Sequence, residues 1–372
     1  MPHPAVARRS RLAAFTALQP RVSANDPLAI SAIKTWPLRE PASGRRYTVV
    51  RLETVSRMRG YGECRVAPPR EVEAVRRAII GQPASAAEIL WQRMGDAPNL
   101  RAAINMAQLD LFAQAAKAPL YQVLGGPTRN KARALAPLDG AAALERAQNA
   151  GFRAFATPAP AHEFRNAGKS YVSAVATLMN RLRNAAGDGN DFVLDAAAAL
   201  TPGDAQSLAA ELESFHMLWF DEPCPLSNLG AIRKIASENV TPLGFGRRIP
   251  APGGFQDLLR EDAVDILRPD LATHGITAIR RIAALAEVYY IAVAPYHDGG
   301  PIATAAALHL AASIPNFFIQ QVPFPADPRD REMRQQIAAV EAVKDGFLDL
   351  PNQPGLGIQV KESVLDKYQE AA

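Results

Sequence analysis

Short apolar runs alternate with amphipathic stretches through the second half of the chain. An apolar run bounded by turn residues predicts a buried strand, and a period of 3.6 residues predicts a helix. Eight strands separated by helices predict parallel βα units closed into a (β/α) barrel. The predicted strands lie near residues 133–137, 152–156, 191–195, 217–221, 242–245, 264–267, 291–294 and 317–320.

A doubly wound open sheet is the alternative fold for the same alternation of strands and helices. Such sheets commonly bind dinucleotides through a G-x-G-x-x-G loop that follows an early strand. No such motif occurs in this chain. The closed barrel is therefore the preferred prediction.

The first part of the chain has a different pattern. Residues 45–52 and 61–64 predict two short strands. Between about residues 71 and 116 the pattern is helical, and L-G-G-P at 124–127 is a helix-stop signal. These features predict a small α+β domain at residues 28–130, followed by the barrel at 131–325 and a terminal segment at 326–372.

Composition indicates a soluble globular protein without a membrane span. Hydrophobic residues make up 48% of the 372 residues and charged residues 21%. No uninterrupted apolar run is long enough to form a spanning helix. The net charge is +4, of which the segment 1–27 contributes +3 through four arginines and one aspartate. The remaining body carries only +1 (4 − 3), so a nucleic-acid-binding face is not predicted.

The amino-terminal segment 1–27 allows two interpretations. Arg8 and Arg9 precede an apolar run at 12–18, and V-S-A at 22–24 resembles a cleavage site, which together suggest a twin-arginine export signal. The apolar run is short for such a signal and includes Thr16. An unstructured extension of a cytoplasmic protein is therefore the prediction, and export is the alternative.

Polar residues follow the predicted strands at intervals close to one βα repeat. Because equivalent positions of neighbouring repeats lie at the same height, the side chains are expected to meet at the carboxyl-terminal mouth of the barrel, where barrel chemistry is found. Each aspartate alone could instead cap the next helix, and H-D-G-G at 297–300 could be an ordinary turn. Their common register favours a site. The residues are Asp195, Asp221 with Glu222, Arg247, Asp270 and His297.

Several longer segments resemble the enolase superfamily, specifically its mandelate racemase/muconate-lactonizing branch and nearest its acid-sugar dehydratases. The resemblance implies a (β/α)7β barrel covered by an α+β capping domain that the segment 326–372 completes. It also implies a small carboxylic acid as ligand and a homo-oligomer. The segments that carry it include D-L-F-A-Q-A-A-K-A-P-L-Y-Q-V-L-G-G-P (110–127), W-F-D-E-P (219–223), A-V-D-I-L-R-P-D-L (263–271), A-P-Y-H-D-G-G-P-I-A (294–303) and P-G-L-G-I (354–358).

In that family Mg²⁺, held by three strand-end carboxylates, stabilises the enediolate that forms when a proton α to a carboxylate is removed. The resemblance places the first ligand at Asp195 and the second at Asp221. The position of the third ligand, a glutamate in the family, is occupied by Arg247.

Other positions of the family's machinery also differ. The two lysine-motif positions of the second strand are Ala156 and Pro158. The histidine of the family's A-P-H motif is replaced by Tyr296, and the glutamate that ends the eighth strand by Gln321.

The acid that supports the family's catalytic histidine is unchanged, as Asp270, and His297 directly follows Tyr296. The candidate catalytic residues are therefore Asp270, His297, Tyr296 and Arg247. The candidate substrate-binding residues are Arg247, Arg248 and Gln321.

Electrostatics predicts a specific arrangement for the two remaining aspartates. Mg²⁺ prefers oxygen ligands, so a fixed cation in the third position would repel it. Because unpaired carboxylates in a low-dielectric mouth are costly, we expect Arg247 to take the metal's place between Asp195 and Asp221. No cofactor is then expected, and Mg²⁺ only if the family's site persists.

Three functions remain open at this point. One is an altered dehydratase or racemase, in which Arg247 or Arg248 holds the substrate's carboxylate while an Asp270–His297 pair transfers a proton. The second is a conventional Mg²⁺-dependent acid-sugar dehydratase or racemase. The third is a catalytically inactive binding protein.

Overall fold

The computed structural model describes residues 26–95, 97–140, 142–161 and 168–370. The export signal suggested for the amino terminus lies outside the described residues. No helix among the described residues is long and apolar enough to cross a membrane.

The capping domain is a three-stranded antiparallel sheet with helices packed on it. The elements are β1 (Ile30–Arg39), β2 (Arg46–Thr54), β3 (Arg59–Cys64), α1 (Pro69–Ile79), α2 (Ala87–Arg93), α3 (Pro98–Ala115) and α4 (Leu120–Val123). The strand order is β1-β2-β3, and β1 had no counterpart among the predicted strands. Helix α3 packs so closely on β3 that a Cβ added at Gly62 would meet the carbonyl oxygen of Ala103, so glycine is required there.

Eight parallel strands form the barrel, in the order in which they occur along the chain. All eight predicted strands are confirmed. They are β4 (Lys131–Pro137), β5 (Ala154–Pro158), β6 (Asp191–Asp195), β7 (Trp219–Asp221), β8 (Leu243–Phe245), β9 (Ile266–Leu267), β10 (Ala292–Val293) and β11 (Gln320–Gln321). Strand β11 pairs with β4, and a bridge joins Val293 of β10 to Phe317, just before β11, which closes the barrel.

In the described ranges, seven α-helices connect the eight barrel strands, so the predicted (β/α)7β architecture is confirmed. Their apolar faces pack against the outside of the barrel in the largest hydrophobic core. They are α5 (Ala143–Asn149), α6 (Lys169–Ala186), α7 (Pro202–Leu212), α8 (Leu229–Glu238), α9 (Pro252–Arg260), α10 (Leu271–Val288) and α11 (Pro301–Ser313).

The terminal segment contacts both domains. It contains α12 (Pro328–Ile337), β12 (Val343–Lys344), β13 (Phe347–Asp349) and α13 (Glu362–Tyr368). Strand β13 pairs antiparallel with β4 of the barrel. On the capping sheet, Nε1 of Trp36 donates to Asp366 over 2.7 Å. The segment therefore ties the end of the chain to the cap and to the first barrel strand.

A second, smaller core fills the inside of the barrel. Side chains alternate between the two faces of a strand, so Trp219 points into this inner core while Phe220 points out to the helices. By the same alternation Asp221 points inward, one layer above Trp219. Polar residues at equivalent positions of the other strands are thereby directed to the mouth. The inner core consists of Leu135, Ala154, Ala156, Val193, Trp219, Ile266, Ala294 and Ile319.

Candidate ligand site at the barrel mouth

The strand register brings the predicted strand-end residues together. Asp195 of β6 is the direct partner of Asp221 of β7. Asp221 is in turn the partner of Gly244 on β8, where an added Cβ would meet the ring of Trp219, so only glycine leaves room for the indole. Asp270 and Tyr296 are bridge partners at the ends of the next two strands. Residues that are one βα repeat apart in the sequence therefore lie on neighbouring strands around the mouth.

Arg247 lies between the two aspartates, as predicted. Its Nη2 donates to Oδ1 of Asp195 over 2.5 Å, and its Nε lies 3.2 Å from Oδ2 of Asp221. The turn that carries it is fixed by Glu222, whose buried carboxylate accepts the backbone N–H groups of Gly246 and Arg247 at 2.9 and 3.0 Å. Arg247 is thus held in place through both its backbone N–H and its guanidinium group.

A second arginine, Arg268, lies beneath the first and was not predicted. It is 1% exposed, its Nε lies 3.5 Å from Oδ1 of Asp221, and its Nη2 donates to Gln321 over 2.8 Å. The guanidinium carbon lies 4.8 Å from the ring centroid of Trp219 and 5.7 Å from that of Tyr296. The sequence could have indicated Arg268, because it lies two residues before Asp270 and the alternation of side chains along a strand points both residues inward.

Two aspartates and two arginines interact at the centre of the mouth, beside the buried Glu222. Burial raises the pKa of Asp221, and Arg268 and Arg247 act against that rise. Burial alone would lower the pKa of Arg247, but Asp221 and Asp195 raise it, so the guanidinium stays charged. The two aspartates and the two arginines together have a formal charge of zero, and the neighbouring Glu222 adds one carboxyl group, whose pKa is raised by burial. The two guanidinium groups oppose the binding of a divalent cation between the aspartates.

The residues present do not fit the magnesium ion that the family resemblance implies. Within the described ranges, no three His, Cys, Asp or Glu side chains are grouped so that they could hold a metal ion. The position of the third carboxylate carries the guanidinium of Arg247, which is already bonded to Asp195. The expectation that no metal binds stays a prediction.

The predicted Asp270–His297 pair is not formed. Because neighbouring residues of an extended segment face opposite sides, Tyr296 points to the mouth and His297 points away from it. His297 is buried, with Nε2 lying 3.4 Å from the hydroxyl of Thr304. No hydrogen bond between His297 and Asp270 occurs among the described residues. Burial, with help from nearby arginines including Arg334, lowers the pKa of His297 to about 3, so the ring is neutral at physiological pH.

Asp270 is held by donors from the cap and from its own helix. It accepts the backbone N–H of Ala272 at 3.2 Å and the hydroxyl of Thr273, which makes it the N-cap of α10. Arg65, which follows β3 of the cap, donates to it over 2.7 Å and also reaches Asp298 at 3.1 Å. The helix-cap alternative therefore holds for Asp270. Arg65 is a further mouth residue that the sequence did not reveal.

Tyr296 and the exposed edge of Arg247 provide the donors that face the mouth. The guanidinium carbon of Arg247 lies 5.1 Å from the ring centroid of Tyr296. Burial raises the pKa of Tyr296, so its phenol keeps the proton and can donate it. The side chain of Arg247 is 13% exposed. These groups can bind an oxyanion.

The remaining predicted residues are less available. Gln321 is buried and its oxygen accepts from Arg268. Arg248 is exposed and forms no ion pair with any described residue. Pro158 ends β5 as the partner of Asp195, Ala156 lies two residues earlier in the inner core, and neither carries a group that could accept a proton.

Comparison with known proteins supports the fold and identifies its family. Residues 139–364 match the family described as enolase C-terminal domain-like, and residues 22–125 match the mandelate racemase/muconate lactonizing enzyme N-terminal domain. D-galactonate dehydratase of Ralstonia pickettii is 29% identical over 351 residues, covering 88% of this chain and 92% of that enzyme. D-xylonate dehydratase of Haloferax volcanii is 26% identical, covering 71% of this chain and 68% of that enzyme.

A solved structure has the same architecture. The mandelate racemase/muconate lactonizing enzyme-like protein from Roseovarius sp. superposes with a TM-score of 0.81 at 26% identity, covering 92% of this chain and 96% of that one. Together the two family matches include most of the described residues. The chain belongs to the mandelate racemase/muconate lactonizing enzyme family of the enolase superfamily.

Proposed function

We propose that this protein binds a small carboxylic acid, of the acid-sugar kind, at the barrel mouth, with Arg247 in the place of the family's magnesium ion. The observation that carries the proposal is the contact of one guanidinium with both Asp195 and Asp221, at 2.5 and 3.2 Å. That contact removes the need for a metal to neutralise the two aspartates, and it leaves part of a cation facing the mouth.

Relatives support the choice of ligand. Two proteins that align with most of this chain are named dehydratases of D-galactonate and D-xylonate, which are sugar acids. A sugar acid offers a carboxylate together with several hydroxyl groups. Nη2 and Nε of Arg247 face the two aspartates, so Nη1 is the part of the guanidinium that would donate to the ligand's carboxylate. The hydroxyl of Tyr296 would donate a further hydrogen bond to the same group.

The same residues argue against removal of the α-proton. A general base must be within hydrogen-bond reach of the proton that it abstracts. Ala156 and Pro158 cannot act as bases, and His297 faces away from the mouth. Asp270 is already bound to Arg65, and Asp195 to Arg247. We therefore propose a binding protein in which the family's proton abstraction has been lost.

A Mg²⁺-dependent acid-sugar dehydratase is the second candidate. The retention of Asp195 and Asp221 favours it, as do the names of the relatives. This function would require Arg247 to leave both aspartates, giving up a charged hydrogen bond in a largely buried setting. Mg²⁺ would then have to neutralise both aspartates, and the displaced guanidinium would need water or another anion as its partner.

The experiment uses the full-length protein and a panel of D-galactonate, D-xylonate and D-mannonate. Binding is measured by calorimetry, and exchange of the α-proton in D₂O by NMR, each with Mg²⁺ and with a chelator. We expect saturable binding that the chelator does not change, without exchange. Exchange that requires Mg²⁺ would support the second candidate instead.

A matched pair of variants assigns the binding to the mouth. Arg247→Met should weaken binding by about tenfold or more, since each 1.4 kcal/mol of lost contact is a factor of about ten. Arg248→Met removes the same charge from the exposed neighbouring residue and should leave the affinity unchanged. Equal affinity of both variants would contradict the assignment.

A further inference from the structure

A cavity of about 290 Å³ lies at the seam between the cap and the barrel. Helices α2 and α3 form its cap side, and residues 250–252 with the first three turns of α10 form its barrel side. Its lining does not include Asp195, Asp221, Arg247 or Tyr296. The seam cavity is thus separate from the mouth. Its volume is close to the lower end of small-molecule sites, about 300 Å³.

Arg101 supplies the seam cavity with a cation that has no counter-ion among the described residues. Its guanidinium carbon lies 5.0 Å from the ring centroid of Trp91, and its Nε is buried without a hydrogen-bond partner. No carboxylate lies within ion-pair distance of Arg101 in the described part of the chain. A partly desolvated cation without an anion is energetically unfavourable. The N–H donors of the Arg101 guanidinium form a planar fork that suits a carboxylate.

The other charges in the seam cavity indicate which kind of anion would fit. Arg281 also lines the cavity, but its Nη2 is paired with Oε1 of Glu88 at 2.7 Å. The ring of His274 bonds the carbonyl of Ile249 through Nε2. Arg101, Arg281 and Glu88 therefore give a formal charge of +1. This charge matches a monoanion, and a doubly charged phosphate would remain partly uncompensated.

The apolar part of the lining indicates the body of the ligand. Pro250, Ala251 and Pro252 form a short apolar wall opposite the cap helices, and Ala278 of α10 adds to it. Such a wall favours a hydrocarbon group over a sugar chain, whose hydroxyl groups would lose their hydration there. We propose that the seam cavity binds a small organic monocarboxylate, with the carboxylate on Arg101 and the hydrocarbon body against residues 250–252.

The test uses benzoate as the probe and full-length protein carrying Arg247→Met, so that binding at the mouth does not contribute. Calorimetry and the fluorescence of Trp91 follow the titration. Trp91 lines the cavity, whereas Trp36 and Trp219 are fully buried elsewhere. We expect saturable binding with a change in fluorescence. Lack of saturation up to about 10 mM benzoate would overturn the proposal, because it would exclude even a millimolar site.

Two further variants in the same background assign the binding to the seam cavity. Arg101→Met keeps a long apolar side chain over Trp91 and should weaken benzoate binding by about tenfold or more. Arg77→Met, a matched change at an exposed arginine of α1, should have no effect. Thermal melts check that each variant folds, and Arg101→Gln, which also removes the charge, serves in place of Arg101→Met if that variant does not. The proposal would be overturned if the Arg101 and Arg77 variants bound benzoate with equal affinity. It would also be overturned if the Arg247→Met protein bound inorganic phosphate as tightly as it binds benzoate.

Discussion

Nη2 of Arg247 lies 2.5 Å from Oδ1 of Asp195, although the two residues are 52 positions apart in the chain. The contact crosses from the loop after β8 to the end of β6, over Asp221 on the strand between them. It places a permanent positive charge where the family resemblance implies a divalent ion. The electrostatics of the mouth follow from this one contact.

Arg247→Glu should create a magnesium site. The change restores three carboxylates around the mouth, and Mg²⁺ prefers such oxygen ligands. In calorimetric titrations we expect Mg²⁺ to bind with a Kd of about 1 mM or tighter, where the wild-type protein shows none. Without metal, the crowded carboxylates should lower the free energy of unfolding by about 2–5 kcal/mol.

Arg248→Glu is the matched control for that experiment. It makes the same charge change one residue along the chain, on a side chain that is exposed. It should neither create Mg²⁺ binding nor alter stability by more than about 0.5 kcal/mol. Magnesium binding by both variants would mean that overall charge, and not the geometry of the mouth, determines metal affinity.

Arg268→Met should destabilise the fold strongly. Arg268 is 1% exposed and contacts Asp221, so its removal leaves a buried carboxylate with one cation fewer. We expect the free energy of unfolding in urea to fall by about 3–5 kcal/mol. Arg233→Met breaks an exposed pair with Glu261 and should cost about 1 kcal/mol or less. Similar losses for both variants would contradict the role given to Arg268.

Tyr296→Phe and His297→Gln should differ in ligand binding. Tyr296 faces the mouth, so loss of its hydroxyl should weaken sugar-acid binding by about 1 kcal/mol, or roughly fivefold. His297 faces Thr304 on the opposite side, and its replacement should leave the affinity unchanged. Calorimetry with the sugar acid bound best by the wild-type protein makes the comparison. Loss of binding in His297→Gln alone would reverse the assignment.

Glu63→Gln should change how stability depends on pH. Burial raises the pKa of Glu63 from 4.5 to about 8, against the N–H donors of Gly300 and Ala303 at the start of α11. Between these values the folded protein keeps a proton that the unfolded chain releases. Stability of the wild-type protein should therefore fall as the pH rises through this window.

Glutamine cannot titrate, so the variant should lack this loss. Relative to Glu63→Gln, we expect the wild-type protein to lose at least about 1 kcal/mol of unfolding free energy between pH 5 and pH 8. Urea denaturation at both pH values measures the difference. Parallel pH profiles of the two proteins would show that Glu63 is ionised throughout.

Spacing along the sequence was sufficient to predict the barrel and the convergence of its strand-end residues, whereas the place of Arg247 between the aspartates was predicted from the family resemblance and electrostatics. Because the βα repeat sets the height of each strand end, the sequence alone predicts that Asp195, Asp221 and Arg247 meet at the barrel mouth. The hydrophobic pattern predicted all eight barrel strands. Strand β1 was missed because I-S-A-I-K-T-W-P-L-R mixes charged residues and a proline with its apolar positions.

Orientation and long-range contacts could not be predicted from the sequence. His297 lies one residue beyond Tyr296, and that single step turns its side chain to the other face of the strand. Arg65 reaches Asp270 from 205 residues away, through the packing of the cap on the barrel. The burial of Arg268 depends on the aromatic rings around it, which come from two other strands.

Crystals of the wild-type protein soaked in Mn²⁺, which takes oxygen ligands as Mg²⁺ does, test the central claim most directly. We predict no anomalous density between Asp195 and Asp221, and density for the guanidinium of Arg247 in that position. An anomalous peak coordinated by both aspartates, with Arg247 turned away from them, would contradict the account.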